Sequence, residues 1–281
     1  MQRLPEYLKR PIIDTEKTKT VRKILKTKCL NTVCEGARCP NKSECYSHNT
    51  ATFLIMGNVC TRNCRYCNIS PARPEPLDLN EPEHVAEAVK ELGLKYAVIT
   101  SVTRDDLPDG GAEHFKNCID EIRKVSDAKI EILTPDFRGK LDSLKTIIIS
   151  NPEVFNHNIE TVKSLFKTAR PQGNYQTSIE VLKYIKDNSN IITKSGLMVG
   201  LGENINEIEE TLVDLKNAGV DIVTIGQYIQ PSKAHLEVVK FYTLEEFEEL
   251  KKLTEKVGIK NHQIGPLVRS SYHAANCYEK N

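Results

Sequence analysis

The chain has 281 residues, room for one large domain or two small ones, and its 39% hydrophobic and 27% charged residues suit a globular protein with a full core. Lys and Arg number 39 against 38 Asp and Glu, a net charge of +1, which argues against a nucleic-acid binder relying on a basic surface. No apolar run reaches the length of a secretory core or a membrane span, so the sequence reads as cytoplasmic, and nine cysteines in a reducing compartment point to metal or catalysis rather than to bridges.

From residue 51 onward strands and helices alternate. The apolar run "ATFLIMG" (51–57) reads as a buried strand, "EHVAEAVKELG" as a helix stopped by Gly93, and "YAVITSV" as the next strand. The helix "AEHFKNCIDEIRKV" leads to the strand "KIEILTP", followed by a helix near 140–150 and the strand "EVFNHNI". A long helix around "TSIEVLKYIKD" precedes the strand "SGLMVGL". In "INEIEETLVDLKNAG" the spacing puts Ile205, Ile208, Leu212 and Leu215 on one helix face. The strand "DIVTIGQYI" is the sixth, and the last clear helix, "TLEEFEELKKLTEKVG", opens with a Thr243–Glu246 capping box and closes at Gly258.

Six strands joined by helical crossovers imply parallel pairing and an α/β fold, a partial (β/α)6 barrel of the TIM type rather than a closed eight-unit one. The units span 51–258; residues 1–50 and 259–281 are expected to be N- and C-terminal extensions that cover the barrel mouth. The functional face belongs at the carboxyl ends of the strands, where the polar or glycine-rich loops "CTRNCRYC", "TRDDLPDGG", "PDFRG", "ARPQGN" and "GLGEN" fall.

Two cysteine triplets dominate the chemistry. Cys60, Cys64 and Cys67 are spaced C-x3-C-x2-C in the loop after the first strand, and Cys34, Cys39 and Cys45 are spaced C-x4-C-x5-C upstream. Structural zinc favours paired C-x2-C knuckles and four ligands. A cubane iron–sulfur cluster takes one thiolate per iron, so three cysteines leave one iron open. The spacing therefore favours a cluster, with a zinc loop as the alternative. Cys118 reads as a small core residue, and Cys29 and Cys277 as spare thiols near flexible ends. The seven histidines show no ligand spacing.

The C-x3-C-x2-C loop, with the aromatic Tyr66 before its last cysteine, resembles the cluster motif of the radical S-adenosylmethionine enzymes. The second triplet, "RSSY" (269–272), "TSVTRDDLPDGGA", "NPEVFNHNIETV", "TARPQGNY", "LMVGLGE" and "GQYIQPS" extend the resemblance, from about residue 10 to 278, to the lipoyl synthase family. That resemblance implies two 4Fe-4S clusters and S-adenosyl-L-methionine as cofactors. Cys60, Cys64 and Cys67 would hold the radical cluster, whose open iron would be chelated by S-adenosylmethionine, with Tyr66, Gly110 and Gly111 near that cofactor. Cys34, Cys39, Cys45 and Ser271 would hold the auxiliary cluster. The implied reaction is sulfur insertion at carbons 6 and 8 of an octanoyl chain on a lysine of a lipoyl carrier domain. The carrier would be of the glycine cleavage H protein or 2-oxoacid dehydrogenase E2 type, with no nucleic-acid or membrane partner and a monomeric enzyme. Another two-cluster radical enzyme and a zinc-binding module are the alternatives. Residues 1–29 hold nine Lys or Arg against three acids, an excess that reads as a solvated tail or as a surface steering an acidic carrier through Lys9, Arg10, Arg22 and Lys23.

Overall fold

The structure, a computed structural model, describes residues 3–11 and 13–279. The chain divides into two compact units, Arg10–Arg62 with Asn68–Glu153, and Met1–Lys9 with Asn63–Cys67 and Val154–Asn281.

In the first unit, helix α1 (Glu16–Thr27) starts at a capping box in which Thr15 and Thr18 each accept the other's backbone N–H, and it buries Thr18, Val21 and Leu25. Strand β1 (Asn31–Thr32) is followed by the short helices α2 (Val33–Gly36) and α3 (Lys42–Ser47), which carry Cys34 and Cys45, with Cys39 in the turn between them. Then come β2 (Thr52–Ile55), β3 (Val59–Cys60), β4 (Ser70–Pro71), α4 (Glu81–Glu91), β5 (Tyr96–Ser101), α5 (Ala112–Val125), β6 (Lys129–Leu133) and α6 (Leu141–Ser150). Strands β2, β5 and β6 pair in parallel, with Phe53 opposite Ile99 and Ile99 opposite Ile132. Because helices leave these strands buried, they read as continuous apolar runs rather than alternating ones. Helix α5 turns Phe115, Cys118, Ile119 and Ile122 inward at helical spacing, each burial contributing about 1.5–3 kcal/mol for the larger side chains.

The second unit contains β7 (Val154–Asn156), α7 (Phe166–Ala169), α8 (Tyr175–Asn188), β8 (Ile192–Val199), α9 (Ile205–Asn217), β9 (Ile222–Gln227), α10 (Leu244–Lys256), β10 (Asn261–Ile264) and α11 (Ala274–Tyr278). Strands β7 to β10 pair in parallel in chain order, with Phe155 opposite Thr193, Leu197 opposite Ile225 and Val223 opposite His262. The Thr243–Glu246 capping box forms as the sequence indicates.

All six expected strands are present, and three features add to them. The N-terminal segment supplies β1, antiparallel to β2, the C-terminal segment supplies β10, and a small parallel pair, β3–β4, brackets the cysteine loop. One helix face differs from the expected one. Ile208, Leu212 and Leu215 are buried, but Ile205 is 50% exposed because it is the first residue after the Asn204 cap and projects beyond the packed turns. Cys118 is fully buried as expected, whereas Cys277, read as a spare thiol, is also buried and donates to Gln263 Oε1 at 3.4 Å. No helix among the described residues is long and apolar enough to cross a membrane.

The C-terminal segment lies directly on β9. Gln227 N donates to Pro266 O at 3.2 Å, and a Cβ built on Gly226 would sit 2.1 Å from Val268 O. Only glycine permits that backbone approach. Gly226→Ala is expected to destabilise the protein by about 2 kcal/mol and to expose residues 266–272 to limited proteolysis before the rest of the chain unfolds. Unchanged cleavage would show that the segment is held elsewhere.

Candidate cluster and active site

The upstream triplet is gathered within the first unit. Thr32 caps α2 by accepting from Glu35 N, Cys39 N donates to Cys34 O at 3.1 Å, and the buried Tyr46 ties α3 back through a 3.0 Å hydroxyl contact with Thr32. Burial pushes the Cys34 thiol up to about 11 and the Cys45 thiol up to about 12. Negative charge on neighbouring cysteines adds to both shifts. Such a donor set suits a cationic iron centre, which would hold the thiolates ionised. Among the described residues no three His, Cys, Asp or Glu side chains converge as ligands of a single metal ion must. A four-iron cube spreads its ligands over separate corners.

Cys60 ends β3 in the same unit. Its Sγ accepts backbone N–H bonds from Arg62 at 3.4 Å and Thr103 at 3.3 Å, the kind of hydrogen bond that sulfur ligands of iron–sulfur clusters receive. Around it stands an ion network that sequence reasoning missed. The buried Arg62 donates to Asp105 through Nε (2.7 Å) and Nη2 (2.9 Å), and to Asp136 through Nη1 and Nη2 (both 2.7 Å). Asp105 N donates to Thr61 Oγ1, whose own hydroxyl donates to Thr103 O, and Asp136 accepts from Arg138 N. Burial alone would lower the guanidinium pKa, but the two carboxylates overturn that and raise it. For Asp105, burial would raise the carboxyl, yet Arg62 and Arg138 hold it below the usual range. The signal was present in the sequence, since Asp105 and Asp136 lie in two of the polar loops at strand ends, but nothing local assigned Arg62 to both.

Gly110 and Gly111 precede α5 with φ of +65° and +91°. A Cβ at Gly111 would meet Met56 Sδ at 2.3 Å and one at Gly110 would meet Phe137 Cδ1 at 3.1 Å, so packing within the protein already explains both glycines.

Cys64, Tyr66 and Cys67 belong to the second unit. Cys67 N donates to Cys64 O at 3.0 Å, Arg65 N to Ala169 O at 2.9 Å, and His235 Nε2 lies 2.9 Å from Cys67 O. Tyr66 packs on the cluster of Leu201, Tyr228 and Val238 and donates its hydroxyl to Glu160. Burial raises the Glu160 carboxyl, an effect opposed by Arg170 and by hydrogen bonds from Asn158 and Tyr66. Arg170 Nη1 donates to Asn158 O at 3.1 Å, and Ser270 Oγ to Asn158 Oδ1 at 2.9 Å, so Ser270 of the "RSSY" turn joins this polar group. Ser271 sits in the same turn, half-buried.

Residues 54–215 match the radical SAM superfamily. The chain is 48% identical to a lipoyl synthase of Caldanaerobacter subterraneus over 97% of its length and 96% of that protein. It is 52% identical to a lipoyl synthase of Caldicellulosiruptor bescii over 97% of its length and 94% of that protein. Among solved structures, methylornithine synthase aligns with a TM-score of 0.55 at 13% identity, over 85% of this chain and 73% of the other, a likeness of fold.

Arg62→Ala is expected to destabilise the fold by about 3 kcal/mol at neutral pH, because the buried Asp136 and the partly buried Asp105 are left without their cation. The wild-type contribution is present above the unfolded carboxylate pKa of about 3.9 and is lost as pH falls through the depressed folded value. Urea melts of wild type and variant should therefore converge on acidification. A gap of the same size at pH 7 and pH 3 would place the loss in packing instead.

Proposed function

The chain belongs to the lipoyl synthase family of the radical SAM superfamily, and from that premise we propose that it inserts sulfur at carbons 6 and 8 of an octanoyl chain borne on a lysine of a lipoyl carrier domain. The observation that supports this most is the second cysteine triplet, with Cys34 on α2, Cys39 in the turn after it and Cys45 on α3, since a second sulfur-ligated centre is what sulfur insertion demands beyond radical chemistry. An unactivated methylene has no acidic proton and no polarised bond, so the acid–base groups of the chain have nothing to act on. Bound S-adenosylmethionine and a reduced cluster supply a carbon radical able to take its hydrogen atom.

In this reading Cys60, Cys64 and Cys67 hold three irons of the radical cluster. The two N–H bonds to Cys60 Sγ orient its sulfur, and Tyr66, fixed by Glu160, orients the turn between the other two. Cys34, Cys39, Cys45 and Ser271 bind the second cluster, which is a substrate. When bound, that cluster would supply the sulfide: each insertion would break one C–H bond, the hydrogen leaving with the nucleoside, and make one C–S bond, the electron released on bonding passing to the cluster's ferric iron. Two S-adenosylmethionine molecules are therefore cleaved per lipoyl group. An alkoxide from Ser271 is a weaker ligand for iron than a thiolate, which suits an iron that must leave. The enzyme acts as a monomer in the cytosol, on carriers of the H-protein or E2 type.

Anaerobic iron and sulfide analysis, with a product assay on an octanoylated carrier, tests the reading. About eight irons per chain are expected. Replacing Cys60, Cys64 and Cys67 by Ala should halve that number and abolish 5′-deoxyadenosine formation. Replacing Cys34, Cys39 and Cys45 should also halve it while leaving S-adenosylmethionine cleavage measurable. Equal loss of cleavage in both variants would refute the division of roles. Ser271→Cys should retain both clusters yet form little lipoyl product in a single turnover; full product would refute the lability of the Ser271 ligand.

A further inference from the structure

A protein-borne substrate requires a protein-recognising surface, and the exposed face of α1 has the charge for one. Helix α1 turns Thr18, Val21 and Leu25 inward and leaves Lys17, Lys19, Arg22, Lys23 and Lys26 exposed. Lys19 pairs with Glu16 at 2.8 Å and Arg22 with Asp14 at 3.3 Å, while Lys17, Lys23 and Lys26 have no acidic partner among the described residues. Of the four cations that the sequence singled out, Lys9, Arg10 and Arg22 are matched by Glu6, Glu44 and Asp14, and only Lys23 remains unmatched.

This arrangement works against the helix itself. Lys19 and Lys23, and Arg22 and Lys26, stand four residues apart on one face, a like-charge spacing that destabilises helices. Lys17 and Lys19 also lie in the first turn, where the helix dipole disfavours cations. Beside this face an open groove of about 480 Å³ runs from Arg22 and Lys26 over Leu25, Leu30 and Leu54 to Gly36; Glu35, which also lines it, is neutralised by Lys42 at 2.8 Å. Gly36 lies between Cys34 and Cys39, so the groove leads from the cations, over an apolar floor, to the segment carrying the upstream thiols.

We propose that the cationic face of α1 and this groove form the docking surface for an acidic face of the octanoylated carrier domain. The inference rests on the sulfur-insertion reading, since it takes its occupant from it. The unmatched lysines attract the carrier electrostatically, and the apolar floor accepts the methylenes of its acyl-lysine arm.

The test compares cluster-loaded wild type with the Lys23→Glu, Lys26→Glu double variant. Binding of octanoylated carrier domain is measured by calorimetry at low and high salt, and turnover is measured on that carrier and on a short octanoyl-lysine peptide. Carrier binding should weaken about tenfold or more and lose most of its salt dependence, with peptide kcat/KM unchanged. The corresponding Lys→Gln variant should show a smaller loss of the same kind. Unchanged carrier binding, or an equal fall on carrier and peptide, would overturn the proposal. Loss of binding to vesicles of anionic lipid with carrier binding retained would overturn it too, in favour of a membrane surface. Absence of lipoyl product from either substrate with the unmodified enzyme would instead overturn the sulfur-insertion reading, and the docking proposal with it.

Discussion

Arg62, clasped by the buried Asp136 and the partly buried Asp105, is the interaction on which the surroundings of Cys60 depend. A guanidinium can meet Asp105 and Asp136 at once because its donors lie in one plane and point outward as two forks. A lysine ammonium could neutralise the charges but not set both orientations. The loops after β5 and β6 are thereby fixed to the residue two positions beyond Cys60, and Thr61 and Thr103 extend the connection to the Cys60 sulfur. Buried ion groups of this kind are weak sources of net stability but severe ones to disrupt, which favours a single geometry over a merely compact one.

The second unit holds its cysteines by other means. Cys64 and Cys67 lie in a tight turn, and the aromatic ring between them packs on apolar side chains while its hydroxyl meets Glu160. Glu160 itself adopts φ of +71° and inserts its backbone between Gly196 and Met198 of β8. A non-glycine residue held in that region is a local strain sustained by its surroundings, a pattern concentrated at functional sites. The upstream triplet is different again, built on two short helices pinned by one buried tyrosine.

How far the sequence could be read follows from the range of the interactions involved. The six strands, the Gly93 and Thr243 helix boundaries and the burial of Cys118 all rest on periodicity or on contacts within a few residues, and each was visible. Ile205 was misplaced because spacing gives the angle around a helix but not how far packing extends along it. Strand β1 is only two residues long and β10 (Asn261–Ile264) is mostly polar, so neither shows an apolar run, and both owe their existence to the strands beside them. Helix α1 is largely polar and buries only three side chains, so its cations were visible while its structure was not. Arg62 with Asp136, and Asn158 with Ser270, join residues 74 and 112 positions apart, and nothing local to either partner announces the pairing. The cysteine triplets were legible because covalent spacing itself carries their chemistry.

The passage of Val268 across Gly226 also bears on the order in which the molecule is completed during synthesis. Chains fold as they emerge, N-terminal parts first. Cys34 is close to Thr52, so the upstream thiols can draw together once β2 has left the ribosome. Strand β9 must wait about forty residues for Val268 to cover it, and Ser270 meets Asn158 only then. A nascent chain can therefore present clustered thiols well before the "RSSY" turn exists. On the ligand set proposed above, iron delivered at that stage would find one ligand missing, and cluster loading is best timed after release.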